Sequence, residues 1–182
     1  MDAPIGTRAA RLTMVLPSAA VSLTLRERVR AGELINLLIV RVGRERFAID
    51  LAAVHEAVDV RTLEHISQMP PGAVGLVRWR GAAHTVWSPA GALRTALHSP
   101  DTALFIRVKQ AGMVASVGVA VDDVEDLITV SGRDVRALSG VDDGEGLVIG
   151  ALHVGGDIAT VIDAEILARA VQAVPVAAAV EA

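Results

Sequence analysis

Residues 34–51 read LINLLIVRVGRERFAIDL, and this segment indicates how the rest of the chain is built. The run from Leu34 to Val42 is almost continuously apolar, as expected for a strand that is buried on both faces. After a turn at residues 43–46, large apolar side chains occupy every second position from Phe47 to Leu51. Because this period of two is typical of a half-buried strand, the segment predicts a β-hairpin.

The same arrangement returns in the second half of the chain. An apolar run from Leu104 to Val108 is followed by a turn at residues 110–112 and by alternating valines from Val117 to Val121. Further strands are predicted after each hairpin, at the end of 51–60 and at 74–79, 83–87, 127–130, 148–154 and 158–162.

The two halves align with each other, which indicates an internal duplication. Gly75–Gly81 matches Gly150–Gly156 without a gap at a spacing of 75 residues, and Val54–Glu56 matches Val124–Asp126 at a spacing of 70. A five-stranded unit of about 65 residues would be a marginal barrel alone, so we expect two intertwined barrels that share a core. The predicted fold is mainly β, with two small five-stranded barrels and short helices.

Helices are predicted at three places. Thr24 and Glu27 form a capping box for a helix from Leu25 to Ala31. Ser88-Pro89 predicts a short helix through Leu97, and Asp163 caps another at residues 164–171. We divide the chain into a partly disordered N-terminal extension with a short helix (1–33), the double barrel (34–172) and a flexible tail (173–182).

Composition excludes several classes of function. The chain has 182 residues and no Cys, which excludes disulfides, thiolate nucleophiles and iron–sulfur clusters. A net charge of −4 offers no basic field for nucleic acid, and four aromatic residues offer almost no stacking platforms. No apolar run approaches the roughly 20 residues of a membrane span, and we expect a cytoplasmic protein.

No catalytic or metal-binding constellation is evident. The chain lacks a glycine-rich phosphate loop and a G-x-S-x-G elbow, and His55 has no second His four residues later to complete a zinc pair. Residues 122–126, DDVED, are interpreted as a solvated turn rather than as a pair of catalytic carboxylates. The sequence therefore predicts no enzyme, cofactor or metal, although a small ligand-binding barrel using this acidic run or an Arg-rich loop stays an alternative.

Several segments together resemble the CheW-like domain family. Residues 37–43 and 47–56 resemble its opening, and Gly75–Gly81 (GLVRWRG) resembles its G-V-x-N-x-R-G segment. Val119–Val124 resembles its G-x-x-V-D-x-V segment, and residues 150–167 resemble its closing strands and helix. The resemblance covers about residues 34–171 in order.

The resemblance implies two SH3-like barrels and a non-catalytic adaptor. Such a protein couples the regulatory domain of a CheA-type histidine kinase to the cytoplasmic tip of methyl-accepting chemoreceptors, at membrane-associated receptor arrays. Other CheW-like domains are further candidate partners, whereas nucleic acid and direct membrane insertion are not expected. A divergent module that serves pili, biofilm formation or gene regulation is the alternative.

The resemblance also implies which residues bind partners. Val54 and Glu56 match the family's Val-x-Glu positions, Arg80-Gly81 matches its Arg-Gly turn, and Val54 and Val119 are expected to contact a partner in an apolar groove. Arg78 replaces the usual Asn, and residues 87–90 (WSPA) replace V-[VI]-D-L, so Trp87 either enlarges the core or faces a partner. Because Trp and Arg are favoured anchors, the predicted site comprises Val54, Glu56, Arg78, Trp79, Arg80, Gly81, Trp87 and Val119.

Overall fold

A computed structural model describes residues 23–60, 63–65, 67–138 and 146–173. Helix α1 (Leu25–Ala31) comes first, α2 (Ala90–Leu93) lies midway and α3 (Ala164–Gln172) closes the fold. The described residues form ten strands: β1 (Leu34–Val42), β2 (Glu45–Asp50), β3 (Val54–Asp59), β4 (Ala73–Trp79), β5 (Ala82–Trp87), β6 (Thr102–Gln110), β7 (Met113–Val121), β8 (Asp123–Ser131), β9 (Val148–Val154) and β10 (Asp157–Ile162).

The strands form two five-stranded sheets with the same topology. The order β8-β1-β2-β10-β9 defines barrel 1, and the order β3-β6-β7-β5-β4 defines barrel 2. Each barrel combines the hairpin of one half of the chain with the last three strands of the other half. The predicted mainly-β fold of two five-stranded units is confirmed, and the duplication appears as an exchange of strands between the halves.

One short bridge closes each sheet. Glu64, after β3, pairs with Leu76 of β4, and Arg136, after β8, pairs with Ala151 of β9. A Cβ on Gly75 would lie 2.9 Å from Leu63 Cβ, and a Cβ on Gly150 would lie 2.6 Å from the Arg136 carbonyl oxygen. Gly75 and Gly150, which align with each other in the duplication, therefore leave room for the neighbouring backbone at the two bridges that close the barrels.

The β1–β2 and β6–β7 hairpins pack against each other, and this packing explains the apolar runs in their sequences. On β1, Ile35, Leu37 and Ile39 point into barrel 1. Leu38, Val40 and Val42 point the other way, into a core shared with β6, β7 and α3, whereas Asn36 is exposed. Because both faces of β1 are buried from Leu37 onward, its sequence is apolar at almost every position there. The predicted shared core is confirmed.

The caps of α1 and α3 follow the predictions. The Glu27 backbone N–H donates to Thr24 Oγ1 at 3.3 Å, and the Thr24 N–H donates to Glu27 Oε2 at 2.7 Å. Asp163 Oδ1 accepts the N–H groups of Glu165 and Ile166. Although α3 follows β10 of barrel 1, it packs on β6 and β7 of barrel 2 and so links the barrels.

Two local predictions are wrong. The helix after Ser88-Pro89 spans only Ala90–Leu93, because Arg94 adopts a left-handed conformation with φ of 53°. Residues 122–126 are not a solvated turn, since β8 begins at Asp123 and the Asp122 side chain is buried. Pairing of β8 with β1 overrides the turn preference of the carboxylates.

Two sequence predictions lie outside the described residues. They are the partly disordered segment before residue 23 and the flexible tail after residue 173. Among the helices that the structure does describe, none has the length and apolar character needed to cross a membrane.

Candidate partner-binding site

The turn between β4 and β5 sets the geometry of the site. Arg80 and Gly81 have φ angles of 50° and 82°, so both adopt left-handed conformations in a two-residue hairpin turn. The preceding residue, Trp79, is buried at the end of β4, whereas the Arg80 side chain is 59% exposed. The turn therefore directs a tryptophan inward and the next arginine outward.

Glu56 on β3 fixes both of these side chains. Its Oε2 atom accepts a hydrogen bond from Trp79 Nε1 at 2.7 Å and lies 3.4 Å from Arg80 Nε. The Arg80 guanidinium carbon lies 4.9 Å from the centre of the Trp79 ring, within range of a cation–π contact. The arginine is therefore held in place by a carboxylate and an aromatic ring.

Trp79 is itself supported by other rings. It stacks on Phe105 with centroids 3.9 Å apart, and His55 and His84 each meet it edge-on at 5.2 Å. Aromatic packing of this kind restricts the position of the indole. Trp79 thus acts as a platform inside barrel 2, beneath Arg80.

The electrostatic surroundings of this cluster are cationic. Burial lowers the pKa of His55, and the positive charges of Arg80 and Arg107 lower it further, against a smaller opposite effect of Glu56. Arg107 on β6 donates to the Ala52 carbonyl at 2.9 Å, and His55 Nδ1 lies 3.1 Å from Ser116 Oγ. These positive charges favour the neutral form of His55, and the exposed guanidinium of Arg80 is suited to contact a carboxylate.

The structure brings together only part of the predicted site. Glu56, Trp79, Arg80 and Gly81 form one cluster, whereas Arg78 is exposed on the face of β4 opposite to the buried Trp79. The remaining three residues, Val54, Trp87 and Val119, pack in or against the shared core instead. Trp87 is half-buried against the shared core, which favours a core role, and its contact with a partner stays a prediction. Val119 is 1% exposed, so its side chain is not available to a partner docked on this surface.

Sequence reasoning missed His55 and Arg107 as parts of the cluster. Two features of the sequence could have identified them. His55 lies between the matched positions Val54 and Glu56, and Arg107 is a charged residue within the apolar run of β6. Over the residues for which coordinates are described, no group of three or more His, Asp or Glu side chains could hold a metal ion.

Comparison with known proteins assigns the family. A family model described as a CheW-like domain matches residues 36–172. The chain belongs to the CheW-like domain family. This CheW-like protein is also similar in structure to the scaffolding protein TtCheW from Thermoanaerobacter tengcongensis, with a TM-score of 0.60 and 17% sequence identity. That similarity covers 73% of this chain and 86% of the other. No curated protein matches the sequence.

Proposed function

We propose that this CheW-like protein is a non-catalytic adaptor that couples chemoreceptors to a CheA-type histidine kinase. The observation that supports this most is the fixed, exposed Arg80 on a closed barrel. Membership of the family supports the same conclusion. The proposed place of action is the cytoplasm, at receptor arrays, where one face takes the receptor tip and another the regulatory domain of the kinase.

Arg80 is suited to dock a partner because its geometry is set before binding. Glu56 engages Nε, and the two terminal nitrogens of the guanidinium make no hydrogen bond within the described part of the chain. These nitrogens can form a paired contact with a carboxylate or with carbonyl oxygens of a partner. A side chain that is already ordered loses less conformational entropy when it binds.

The first test is co-sedimentation of the purified protein with receptor signalling fragments and the kinase. Arg80→Glu reverses the charge of the fixed guanidinium, so we expect affinity for at least one partner to fall about tenfold or more. Arg30→Glu is the matched control, because Arg30 is exposed on α1 and lies outside the residues that match the family.

Two outcomes would contradict this assignment. Wild-type protein that fails to co-sediment with its cognate partners at micromolar concentration would overturn the adaptor function. If the Arg80→Glu variant loses its cooperative thermal transition, Arg80 supports the barrel rather than a partner. Thermal melting of both variants within a few degrees of wild type is therefore measured alongside binding.

A module for pili, biofilm formation or gene regulation is the second candidate. It is favoured by Arg78, an exposed cation where the resemblance leads one to expect Asn. Replacement of Arg78 by Asn is expected to shift preference among receptor paralogues if this position selects the partner. The ligand-binding barrel is disfavoured, because Asp122 is buried and Glu125 is engaged by Arg41 and Arg46.

A further inference from the structure

The two barrels differ at one seam. In barrel 1, β2 pairs with β10 at four consecutive positions, from Arg46 to Ile49. In barrel 2, the equivalent strand β7 pairs with β5 only at Gly118 and Val119. Residues 113–117 of β7 therefore have β6 on one side and, among the described residues, no paired strand on the other, although Val117 at the inner end is buried next to the β5 contact. The sheet edge is therefore open chiefly at residues 113–116.

The other outer strand of the β6–β7 hairpin, β6, is covered by helix α3 near its end. The Lys109 backbone N–H on β6 donates to Glu165 Oε1 at 3.2 Å, and its carbonyl accepts from Arg169 Nη2 at 2.8 Å. Glu165 and Arg169 both belong to α3, so this helix forms hydrogen bonds with the backbone of Lys109 near the end of β6. Within the described part of the chain, the β7 side of this hairpin is the side left open to another strand.

The open edge lacks the features that protect edge strands. Residues 113–117 read MVASV, with no charged side chain and no proline, and their pairing with β6 is free of bulges. Met113 and Val114 are 74% and 66% exposed. Natural edges are commonly blocked by charges, proline or bulges, and an uncharged apolar edge without them readily accepts another strand.

We propose that residues 113–117 of β7 pair antiparallel with the same residues of a second copy of the chain. A two-fold axis at Ala115 would place Met113 opposite Val117 and Val114 opposite Ser116 of the other copy. The five residues carry no charged side chain, so no like charges face each other across this axis. This contact goes beyond the adaptor function, because it would join two adaptors without using Arg80.

The expected dimer is weak and depends on concentration. Five residues of strand span about 17 Å, and contacts of this size lie at the low end of specific interfaces. Sedimentation equilibrium from about 10 μM to about 1 mM covers the range in which such contacts form. Wild-type protein is expected to shift from monomer to dimer across this range.

Val114→Lys tests the edge directly, since it places a lysine on each of two facing strands. The variant is expected to remain monomeric over the whole range. The matched control is Ile158→Lys, because Ile158 is 60% exposed on β10, a strand with neighbours on both sides. This control should dimerise like wild type.

A single-cysteine variant tests the register. The chain has no cysteine, so Ala115→Cys introduces one thiol per copy next to the proposed axis. Oxidation is expected to give a disulfide-linked dimer, whereas Ile158→Cys should stay monomeric. The proposal is overturned by a wild type that stays monomeric at every concentration, by a dimer that survives Val114→Lys, by loss of the dimer in Ile158→Lys, or by equal cross-linking of both cysteine variants.

Discussion

Asp122 is a single side chain that ties the two barrels together. Its carboxylate is 3% exposed and accepts the backbone N–H of Gly43 at 2.5 Å, of Ser99 at 2.6 Å and of His98 at 3.0 Å. Gly43 lies in the hairpin turn of barrel 1, and the other two residues precede β6 of barrel 2. One carboxylate thus satisfies donors from both barrels.

Asp122→Ala is expected to destabilise the protein by about 3 kcal/mol, because it leaves several buried N–H groups without an acceptor. The measurement is the free energy of unfolding in urea. Asp126→Ala is the control, since Asp126 belongs to the same acidic run but is exposed. It should change stability by about 0.5 kcal/mol or less. Equal effects of the two variants would show that Asp122 does not tie the barrels.

At the scale of elements, two arginines of helix α1 bind this helix to barrel 1. Arg26 donates to the carbonyls of Gly146 and Val148, and Arg28 Nη1 lies 2.6 Å from Asp50 Oδ2. Burial raises the pKa of Asp50, while the Ala52 N–H and the positive charge of Arg28 counteract that rise. Arg28 therefore favours the ionised form of this buried carboxylate.

Arg28→Met is expected to raise the pKa of Asp50 further, because it removes the neighbouring positive charge. A raised pKa penalises the ionised form in the folded state. The variant should therefore resemble wild type near pH 4 and lose about 2 kcal/mol as the pH rises to 7. Urea unfolding at both pH values measures the difference. Arg30→Met is the control, and a deficit that does not grow with pH would contradict the prediction.

The elements differ in how far the sequence predicts them. The α1 and α3 caps and the two hairpins depend on residues close in the chain, and all were predicted from local patterns. The helix after Pro89 and the start of β8 were not, because the left-handed Arg94 and the pairing with β1 override local preference. The resemblance named Glu56 and Arg80 as partner-binding residues, but it did not predict that they contact each other. The stacking of Trp79 on Phe105 joins β4 to β6 across the barrel, so no local pattern could predict it.

At the scale of the whole molecule, the exchange of strands makes the halves dependent on each other. The β1–β2 hairpin pairs with β8 and β10, and the β6–β7 hairpin pairs with β3 and β5. The shared core receives side chains from both hairpins and from α3. Neither half of the chain contains a complete barrel.

Residues 23–97 and residues 98–173, produced as separate fragments, are each expected to be unfolded, because each lacks the strands that complete its sheets. Mixing the two should restore a cooperative thermal transition. Circular dichroism of each fragment and of the mixture measures this. A cooperative transition in either fragment alone would show that a half of the chain folds independently.

The sequence by itself determined the type and order of the elements, because alternation, caps and turn residues act between neighbours in the chain. It also determined that the two halves are related and that their cores are joined. The tertiary structure alone decided that the halves exchange strands, that Asp122 is buried and that Trp79 lies beneath Arg80. Among the described residues, it also left residues 113–117 of β7 without a paired strand on the side away from β6. These features depend on contacts between residues far apart in the chain, whose pairing a local pattern cannot specify.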